Sequence, residues 1–292
     1  MYLKKRYYRI IESLIKKAIR FKNNSKNNTL QKTIRSAIYN TTDENKILFS
    51  NNKDIKYLLG SSDWISKKLF IDKSFDYRIL TKAIKLLGKK NSKLTLINIG
   101  AHIGSTGIPA IKKNNFKNLI AFEPTKRNFR LLKANIFLNE IDDRVQAYNL
   151  AISNKKANLH LGTTKGNTDG NRILRNKQKN TEIVKSDILD NYTYNLNKNN
   201  SLIFIDAEGH EPNIFLGAKK TIKKKIPIVF EFYPSLLDKN WINNFDLVFK
   251  NYRFFYGLRG KNRKEKFNKK NLIALINKVN SIEGKHTDLM IV

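Results

Sequence analysis

The stretch Asn98-Ile99-Gly100-Ala101-His102-Ile103-Gly104 decides the fold. It closes an apolar run over residues 94–99, which predicts a buried strand, and it opens a short helix predicted over residues 103–113. Glycines at such a turn permit a tight bend and let a ligand approach bare backbone. Ligands of open α/β sheets bind beyond the carboxyl ends of the strands. The Gly-x-x-x-Gly spacing differs from the Gly-x-Gly-x-x-Gly of NAD enzymes, and by itself it also fits a purely structural turn.

Strands and helices alternate on both sides of this turn. Strands are predicted at 94–99, 119–122, 145–152, 202–205 and 226–232, and helices at 74–88, 103–113, 125–139 and 211–224. The helix at 125–139 is expected to turn Phe129, Leu132, Ile136 and Phe137 inward. A strand at 253–258 and a terminal strand at 288–292 predict an antiparallel pair at one edge. The alternation therefore predicts a largely parallel α/β sheet with helices on both faces.

Two segments depart from the alternation. Residues 1–60 are predicted to form a basic helical extension, with an amphipathic helix over 7–20 and a polar linker over 23–28, and residues 61–292 to form the main domain. The extension carries apolar residues between lysines and arginines, so peripheral contact with a membrane surface stays open beside packing on the main domain. Residues 154–201 are polar and carry three spaced glycines, which predicts a long irregular loop of functional use.

The composition is strongly basic, with 57 Lys+Arg against 24 Asp+Glu and a net charge of +33. This charge fits binding to nucleic acid or to an anionic glycan, but Lys, Asn, Ile, Phe and Tyr also rise together when coding DNA is rich in A and T. The basic residues form no single dense tract, which favours compositional drift as the main source. Without cysteine, disulfide scaffolds, thiolate nucleophiles and iron–sulfur chemistry are excluded. The sequence contains no run of about 18 uncharged apolar residues, so a membrane span is not predicted. A cytoplasmic location is expected.

The second strand ends in Phe122-Glu123-Pro124. Glu123 lies roughly 20 residues beyond the glycines, where an acid can bind both hydroxyls of a ribose. A carboxylate offers two acceptor oxygens to two neighbouring donors, which explains the residue type. The alternative is a solvated or helix-capping acid.

A later strand ends in Ile205-Asp206-Ala207-Glu208-Gly209-His210-Glu211. Carboxylates at the end of a buried strand suit ligand binding, proton abstraction or metal coordination. Asp206 and Glu208 are the better functional candidates, since Glu211 begins a helix and is expected to stabilise its N-terminus. His210 fits a place in the cleft and a place at the helix cap equally well.

These three motifs, taken in order, resemble the FkbM-family methyltransferases. Further matches are Ala151-Ile152-Ser153, Leu216-Gly217-Ala218 and Tyr252-Arg253-Phe254, so that the resemblance runs from about residue 94 to the C-terminus. It implies a class I, Rossmann-like fold: a mostly parallel seven-stranded sheet whose terminal strand is antiparallel. It also implies S-adenosylmethionine as the cofactor. The chain departs from the family at Asn98, where Asp is usual, and at His102, where Asn is frequent. The family's acid helps to hold the methionine ammonium of the cofactor, and Asn98 keeps an acceptor oxygen but loses the charge. The glycines are retained, so a competent cofactor site is expected.

The resemblance implies O-methylation of a sugar, a glycan or a small metabolite. The expected cofactor-binding residues are Asn98, Gly100, Ala101, His102, Gly104, Glu123 and Asp206. For the base that accepts the hydroxyl proton, the candidates are, in order, His210, Glu208 and Glu231. No metal site is predicted.

Other functions stay open at this point. A nucleic-acid methyltransferase fits the charge but is disfavoured by an acidic ligand edge, and a non-catalytic scaffold fits the substitution at Asn98. The segment 154–201 is the expected substrate lid, and Tyr192, Tyr194 and Tyr233 are candidates for stacking on a sugar. The sequence does not define the oligomeric state.

Overall fold

The computed structural model describes residues 28–292 except 45, 53, 62, 74, 76, 89–92, 115, 165–166, 175–180, 237–240, 261–262 and 281–285. The chain divides into two compact units, residues 1–41 and 42–292. In the first unit the helix α1 spans Asn28–Thr41. The amphipathic helix predicted over 7–20 and nearly all of the linker predicted over 23–28 lie outside the described residues. No helix of the described part has the length and apolar character to cross a membrane, and the cytoplasmic location stays a prediction.

The second unit alternates strands and helices as the sequence predicts. Its helices are α2 Trp64–Ile71, α3 Tyr77–Leu87, α4 Gly107–Lys112, α5 Lys126–Leu138, α6 Glu211–Leu216, α7 Lys219–Lys223, α8 Asp246–Asn251 and α9 Lys269–Asn280. Its strands are β1 Ile47–Asn52, β2 Ile55–Gly60, β3 Thr95–Ile99, β4 Asn118–Phe122, β5 Val145–Tyr148, β6 Ala151–Ile152, β7 Ala157–Thr164, β8 Asn167–Leu174, β9 Thr181–Asp187, β10 Ser201–Ile205, β11 Ile228–Phe232, β12 Phe254–Gly257, β13 Lys264–Lys266 and β14 Thr287–Ile291.

The main sheet has the order β13-β12-β14-β11-β10-β3-β4-β5. The five strands from β11 to β5 are parallel, and the terminal strand β14 lies antiparallel between β11 and β12. This arrangement confirms the predicted fold class, with β13 added as a three-residue edge strand. The central strands β3 and β10 are buried at every position because core residues pack on both faces of the sheet. The carboxyl ends of β3, β4 and β10 consequently meet at one edge.

One prediction for helix α5, that Phe137 faces the core, is wrong. Its buried residues recur at helical spacing and end at Ile136, whereas Phe137 is 73% exposed. One position past Ile136, the helix has turned by about 100°, which carries Phe137 away from the core. The prediction for Phe137 was wrong because it relied on the apolar character of the side chain alone.

The hairpin β1–β2 packs on α5 through two buried asparagines. The Asn135 side chain accepts from Leu58 N at 2.6 Å and donates to Leu58 O at 3.1 Å and to Ile103 O at 3.0 Å. Asn139 makes the same exchange with the backbone of Lys56, at 2.9 and 2.7 Å. These side-chain amides form hydrogen bonds with the backbone groups of β2 that β1 leaves unpaired. The hairpin belongs to the second unit. The domain boundary predicted between residues 60 and 61 stays a prediction.

The segment 154–201 is not the irregular loop that its polarity predicts. It supplies β7, β8 and β9, which form a second sheet in the order β6-β9-β7-β8. Strands β7 and β9 pair from Ala157–Ser186 to Gly162–Thr181. The core under this sheet is small, centred on Ala151, Leu161 and Val184, so few apolar residues were needed to specify it. The strand predicted over 145–152 is divided in the structure, because β5 joins the main sheet and β6 joins the second sheet.

Candidate functional site

A cleft lies at the carboxyl ends of β3, β4 and β10. The predicted site residues on its wall are Gly100, His102, Glu123, Asp206, Glu208 and His210. The second sheet also contributes, through Leu161, Asn171 and Ile173. Topology thus brings six of the predicted residues to one space and places the segment predicted as a lid beside them.

The turn after β3 depends on its glycines for a reason that the sequence did not show. Gly100 has a φ of 79°, and a Cβ built on it would lie 1.8 Å from the carbonyl oxygen of Asp206. The backbone of Asp206 in turn donates to Ile99 O at 3.0 Å. Gly100 is therefore required by the close approach of the β10 end, whereas the sequence interpretation assigned the bare backbone to a ligand.

Glu123 joins the first two turns. Its Oε2 accepts from the backbone N–H of His102 at 2.8 Å, and its Oε1 accepts from that of Thr125 at 2.9 Å. Burial raises the pKa of Glu123 to about 7, while these two hydrogen bonds act in the opposite direction. Each carboxylate oxygen keeps a further lone pair, so the group can still accept from ligand hydroxyls.

The remaining residues of the first turn divide between the cleft and the interior. His102 has a φ of 49° and lines the cleft, and burial lowers its pKa to about 4, so its imidazole is neutral at neutral pH. Asn98 is 1% exposed, and its Oδ1 has no hydrogen-bond partner among the described residues. Asn98, Ala101 and Gly104 are absent from the part of the cleft wall that the structure describes. The structure therefore does not bring these three residues to the cleft, although their predicted roles stay predictions.

A cluster of three carboxylates stands at the ends of β10 and β11. Oxygens of Asp206, Glu208 and Glu231 lie within 4.8 Å of one another. Desolvation by the surrounding protein atoms, followed by the charge of Glu231, raises the pKa of Asp206 above its usual range, although Asp206 itself is exposed to solvent. Burial, followed by the charge of Glu208, raises that of Glu231 to about 8. The cluster offers oxygen ligands of the type that divalent cations take, but acidic clusters of this kind also occur without an ion.

His210 and Glu211 have separate roles beside this cluster. His210 Nε2 lies 2.9 Å from Ser153 Oγ, and burial lowers the pKa of His210 to about 4. The Glu211 carboxylate accepts from the backbone N–H of Ala207 at 3.0 Å and thereby closes the turn before α6. Burial raises the pKa of Glu211 to about 7. The structural role expected for Glu211 agrees with this contact, and His210 faces the cleft.

A second space, here called the adjoining cavity, lies next to the cleft. Ile65, Asp206 and Glu208 line both spaces. Glu231 lines the adjoining cavity, where His286 Nε2 lies 3.6 Å from its Oε1. Two of the three candidate bases therefore face this cavity, and His210 lines the cleft.

Sequence reasoning missed several residues of the adjoining cavity. Trp64 and Phe75 come from the region before the first motif, and Arg259 forms an ion pair with Asp288 of β14. Only Asp288 carried a usable signal, namely an acid in an otherwise apolar terminal strand.

The three tyrosines proposed to stack on a sugar separate in the structure. Tyr192 packs edge-on against Phe122 at 4.8 Å, and its hydroxyl donates to Asp187 at 3.0 Å. Tyr194 is 88% exposed, and Tyr233 lines the adjoining cavity. Of the three, only Tyr233 lies beside the carboxylate cluster.

The sheet order and the cleft at its switch point define a class I methyltransferase fold. The family model for the methyltransferase FkbM domain matches residues 98–259, more than half of the chain, and the chain belongs to this family. Among curated proteins, none matches the sequence significantly.

Solved structures show a distant likeness. Methyltransferase FkbM from Methylobacillus flagellatus KT is 12% identical, with a TM-score of 0.42 over 80% of this chain and 64% of that chain. TYW2 from M. jannaschii in complex with AdoMet is 12% identical, with a TM-score of 0.42 over 86% of each chain. The N-terminal domain of human METTL16 in complex with SAH is 12% identical, with a TM-score of 0.40 over 75% of this chain and 70% of that chain.

Proposed function

We propose that this chain transfers a methyl group from S-adenosylmethionine to a hydroxyl group of a sugar, a glycan or a small metabolite. The observation that carries the proposal is the pair of neighbouring spaces at the strand ends, which share lining residues. One space holds Glu123 on its wall, the other holds Glu231, and Asp206 and Glu208 line both. In this arrangement a cofactor in the cleft and an acceptor in the adjoining cavity would lie on either side of Asp206 and Glu208.

The charge of the cleft wall fits the cofactor. Glu123 would accept from the ribose hydroxyls, and Asp206 and Glu208 would favour a sulfonium cation. S-adenosylmethionine, when bound, supplies an activated methyl group, so the protein has to provide positioning and a proton acceptor. Of the predicted cofactor-binding residues, Gly100, His102, Glu123 and Asp206 line the cleft, which supports their proposed role.

For the proton acceptor, we favour Glu231, with Glu208 beside it in the carboxylate cluster, over His210. A base works best when its pKa lies near the operating pH, and that of Glu231 is raised to about 8. The pKa of His210, lowered to about 4, makes its imidazole a weak base, and its Nε2 already lies beside Ser153 Oγ. This order reverses the one expected from strand-end position.

The net charge of +33 favours a second candidate, methylation of nucleic acid. The carboxylates at the junction of the two spaces oppose it, because they would repel phosphates. Nucleic-acid binding that contacts several phosphates would weaken by orders of magnitude between about 50 and 200 mM salt.

A methyl-label transfer assay tests the proposal on cell extract separated into glycan, nucleic acid, protein and small-molecule fractions. Label in the glycan or small-molecule fraction is the expected result, and label in nucleic acid that disappears at high salt would select the second candidate.

Calorimetry with S-adenosylmethionine tests the cofactor site independently of the acceptor. Glu123→Gln should weaken binding by about 10–100-fold, because it removes a charged acceptor from the wall. Asp143→Asn, at an exposed carboxylate outside the cleft, is the matched control and should bind as the parent does. Absence of binding at millimolar cofactor would contradict the proposal and favour a non-catalytic scaffold.

A further inference from the structure

The second sheet, formed by β6 to β9, takes part in the wall of the cleft, and its side chains there bear on how the cofactor is held. The following inference rests on the proposed function for the identity of that cofactor. Its chemistry comes from the position of this sheet beside Glu123 and from the side chains that the sheet presents to the cleft.

The second sheet lies beside the turn that carries Glu123. The backbone N–H of Lys126, in the first turn of α5, donates to Glu182 Oε1 of β9 at 3.4 Å. Burial raises the pKa of Glu123, and the charge of Glu182 acts in the same direction, as it does between neighbouring carboxylates. A ligand whose hydroxyls bind Glu123 therefore has this sheet as a neighbour.

One face of the second sheet presents an apolar pair to the cleft. Leu161 of β7 and Ile173 of β8 are directly opposite each other in an antiparallel pair, so they lie on the same face, and both line the cleft. Ile183 of β9 is opposite His160, which precedes Leu161 in β7. Because successive side chains of a strand point to opposite faces, Ile183 lies on the other face, where it is 60% exposed.

The core of this sheet is small, and it borders the cleft. In the described part of the chain it consists of three buried residues with two partly buried ones packed against them, namely Ala151, Leu161, Val184, Leu159 and Ile173. Of these five, Ala151, Leu161 and Ile173 also line the cleft. An apolar ring bound in the cleft would therefore cover side chains of this core and add to the apolar surface that the sheet buries.

The order of the main sheet gives the direction in which a nucleoside would lie. Glu123 directly follows β4, which stands between β3 and β5. On the side of β3 and β10, the cleft wall carries the carboxylates of Asp206 and Glu208. On the side of β5, it carries Leu150 and Ala151, which lead into the second sheet. From a ribose at Glu123, a sulfonium cation is favoured toward the carboxylates, and an uncharged ring is favoured toward the apolar side.

We infer that the second sheet binds the heteroaromatic base of the cofactor, with Ile173 against the ring and Leu161 beside it, and that the bound ring completes the small core of this sheet. The segment expected to be a substrate lid is then a wall of the cofactor site. Ile173 positions the cofactor and takes no part in the transfer of the methyl group.

Calorimetry on the full chain with S-adenosylhomocysteine tests the contact. Ile173→Ala should weaken binding about tenfold, because it removes most of an apolar side chain from the ring, and Ile173→Val, which removes one carbon and keeps the branched shape, should weaken it about threefold. Ile183→Ala is the matched control, since it shortens an isoleucine on the opposite face of the same sheet, and it should bind as the parent does.

Hydrogen exchange tests whether the ring completes the core. Amides of β7 and β9 should exchange at least about tenfold more slowly with saturating S-adenosylhomocysteine, because opening of the sheet would then break its contact with the ring. Amides of β12 and β13, at the other edge of the main sheet, should change by less than about twofold. Exchange without ligand shows whether Ile173→Ala loosens the sheet, and in that case Ile173→Val takes its place in the comparison with Ile183→Ala.

Equal affinity of the Ile173 variants and Ile183→Ala, or exchange in β7 and β9 that the ligand leaves unchanged, overturns the inference alone, because S-adenosylhomocysteine is still bound. Adenosine separates the opposite case. If adenosine binds and Ile173→Ala weakens it, while neither S-adenosylmethionine nor S-adenosylhomocysteine binds at about 10 mM, the proposed function is refuted and the site for the base stands. Absence of binding for all three compounds overturns both.

Discussion

Replacing Gly100 by alanine tests whether the turn after β3 is dictated by the neighbouring strand or by a ligand. The new Cβ would lie 1.8 Å from the carbonyl oxygen of Asp206, where ordinary contact begins at 3.4 Å. The turn and the end of β10 would have to separate by about 1.6 Å, and both are held by backbone hydrogen bonds. The overlap therefore falls on backbone atoms that cannot move independently.

The chain offers a matched control at Gly88. Gly88 also has a positive φ, 62° against 79° at Gly100, but among the described residues no atom lies within 4 Å of a Cβ built on it. Gly88→Ala should therefore show only the cost of a left-handed conformation, about 1 kcal/mol. Gly100→Ala adds the overlap, so we expect a total loss of at least about 3 kcal/mol in the free energy of unfolding.

Urea unfolding followed by circular dichroism measures both variants against the parent chain. Calorimetry with S-adenosylmethionine on the folded fraction adds the second readout. If Gly100→Ala is no less stable than Gly88→Ala, the close approach to Asp206 is not what requires the glycine. If it is as stable as Gly88→Ala and has lost cofactor binding, the bare backbone serves the ligand, as the sequence interpretation held.

Two further predictions concern stability. Asn135→Leu should lower the free energy of unfolding by about 2–4 kcal/mol, because three hydrogen bonds to backbone groups would be lost, and a loss below about 1 kcal/mol in urea unfolding would contradict the role given to this side chain. The pH dependence follows from the buried acids: the pKa of Glu123 and of Glu211 is raised to about 7 from 4.5, so the folded chain keeps protons that the unfolded chain has released, and stability falls as the pH rises through 7. His102 and His210, with pKa lowered to about 4 from 6.5, act oppositely, because the unfolded chain binds the protons there and stability rises up to about pH 6.5. Glu231, whose pKa is raised to about 8, adds to the loss. Calorimetric melting should thus show a net loss of about 2 kcal/mol between about pH 6.5 and 7.5, which Glu123→Gln reduces; a gain over this interval would refute the burial of these acids.

The sequence predicted the layers of the fold because the relevant signals are local. The apolar run before Gly100, the acid after β4 and the acidic motif after β10 each mark a strand end within a few residues. Strand ends of a parallel sheet meet at one edge, so the grouping of Glu123, Asp206 and Glu208 also followed from the sequence.

The polar or apolar character of a segment gave wrong predictions where its structure depends on residues distant in the sequence. The polar segment 154–201 forms strands because β7 and β9 satisfy each other's backbone, which composition does not reveal. Phe137 is apolar yet exposed, because nothing covers that face of α5 in the described part of the chain.

By itself the sequence determined the class of fold, the position of the cleft along the chain and six residues of its wall. Only the tertiary structure decided that Gly100 makes room for Asp206, that Glu231 and His210 line different spaces, and that Trp64 shares a cavity with Asp206. The physical reason is distance along the chain. Periodicity and turn residues describe neighbours in sequence, whereas a shared cavity arises from side chains that only the packing of the folded sheet and helices brings together.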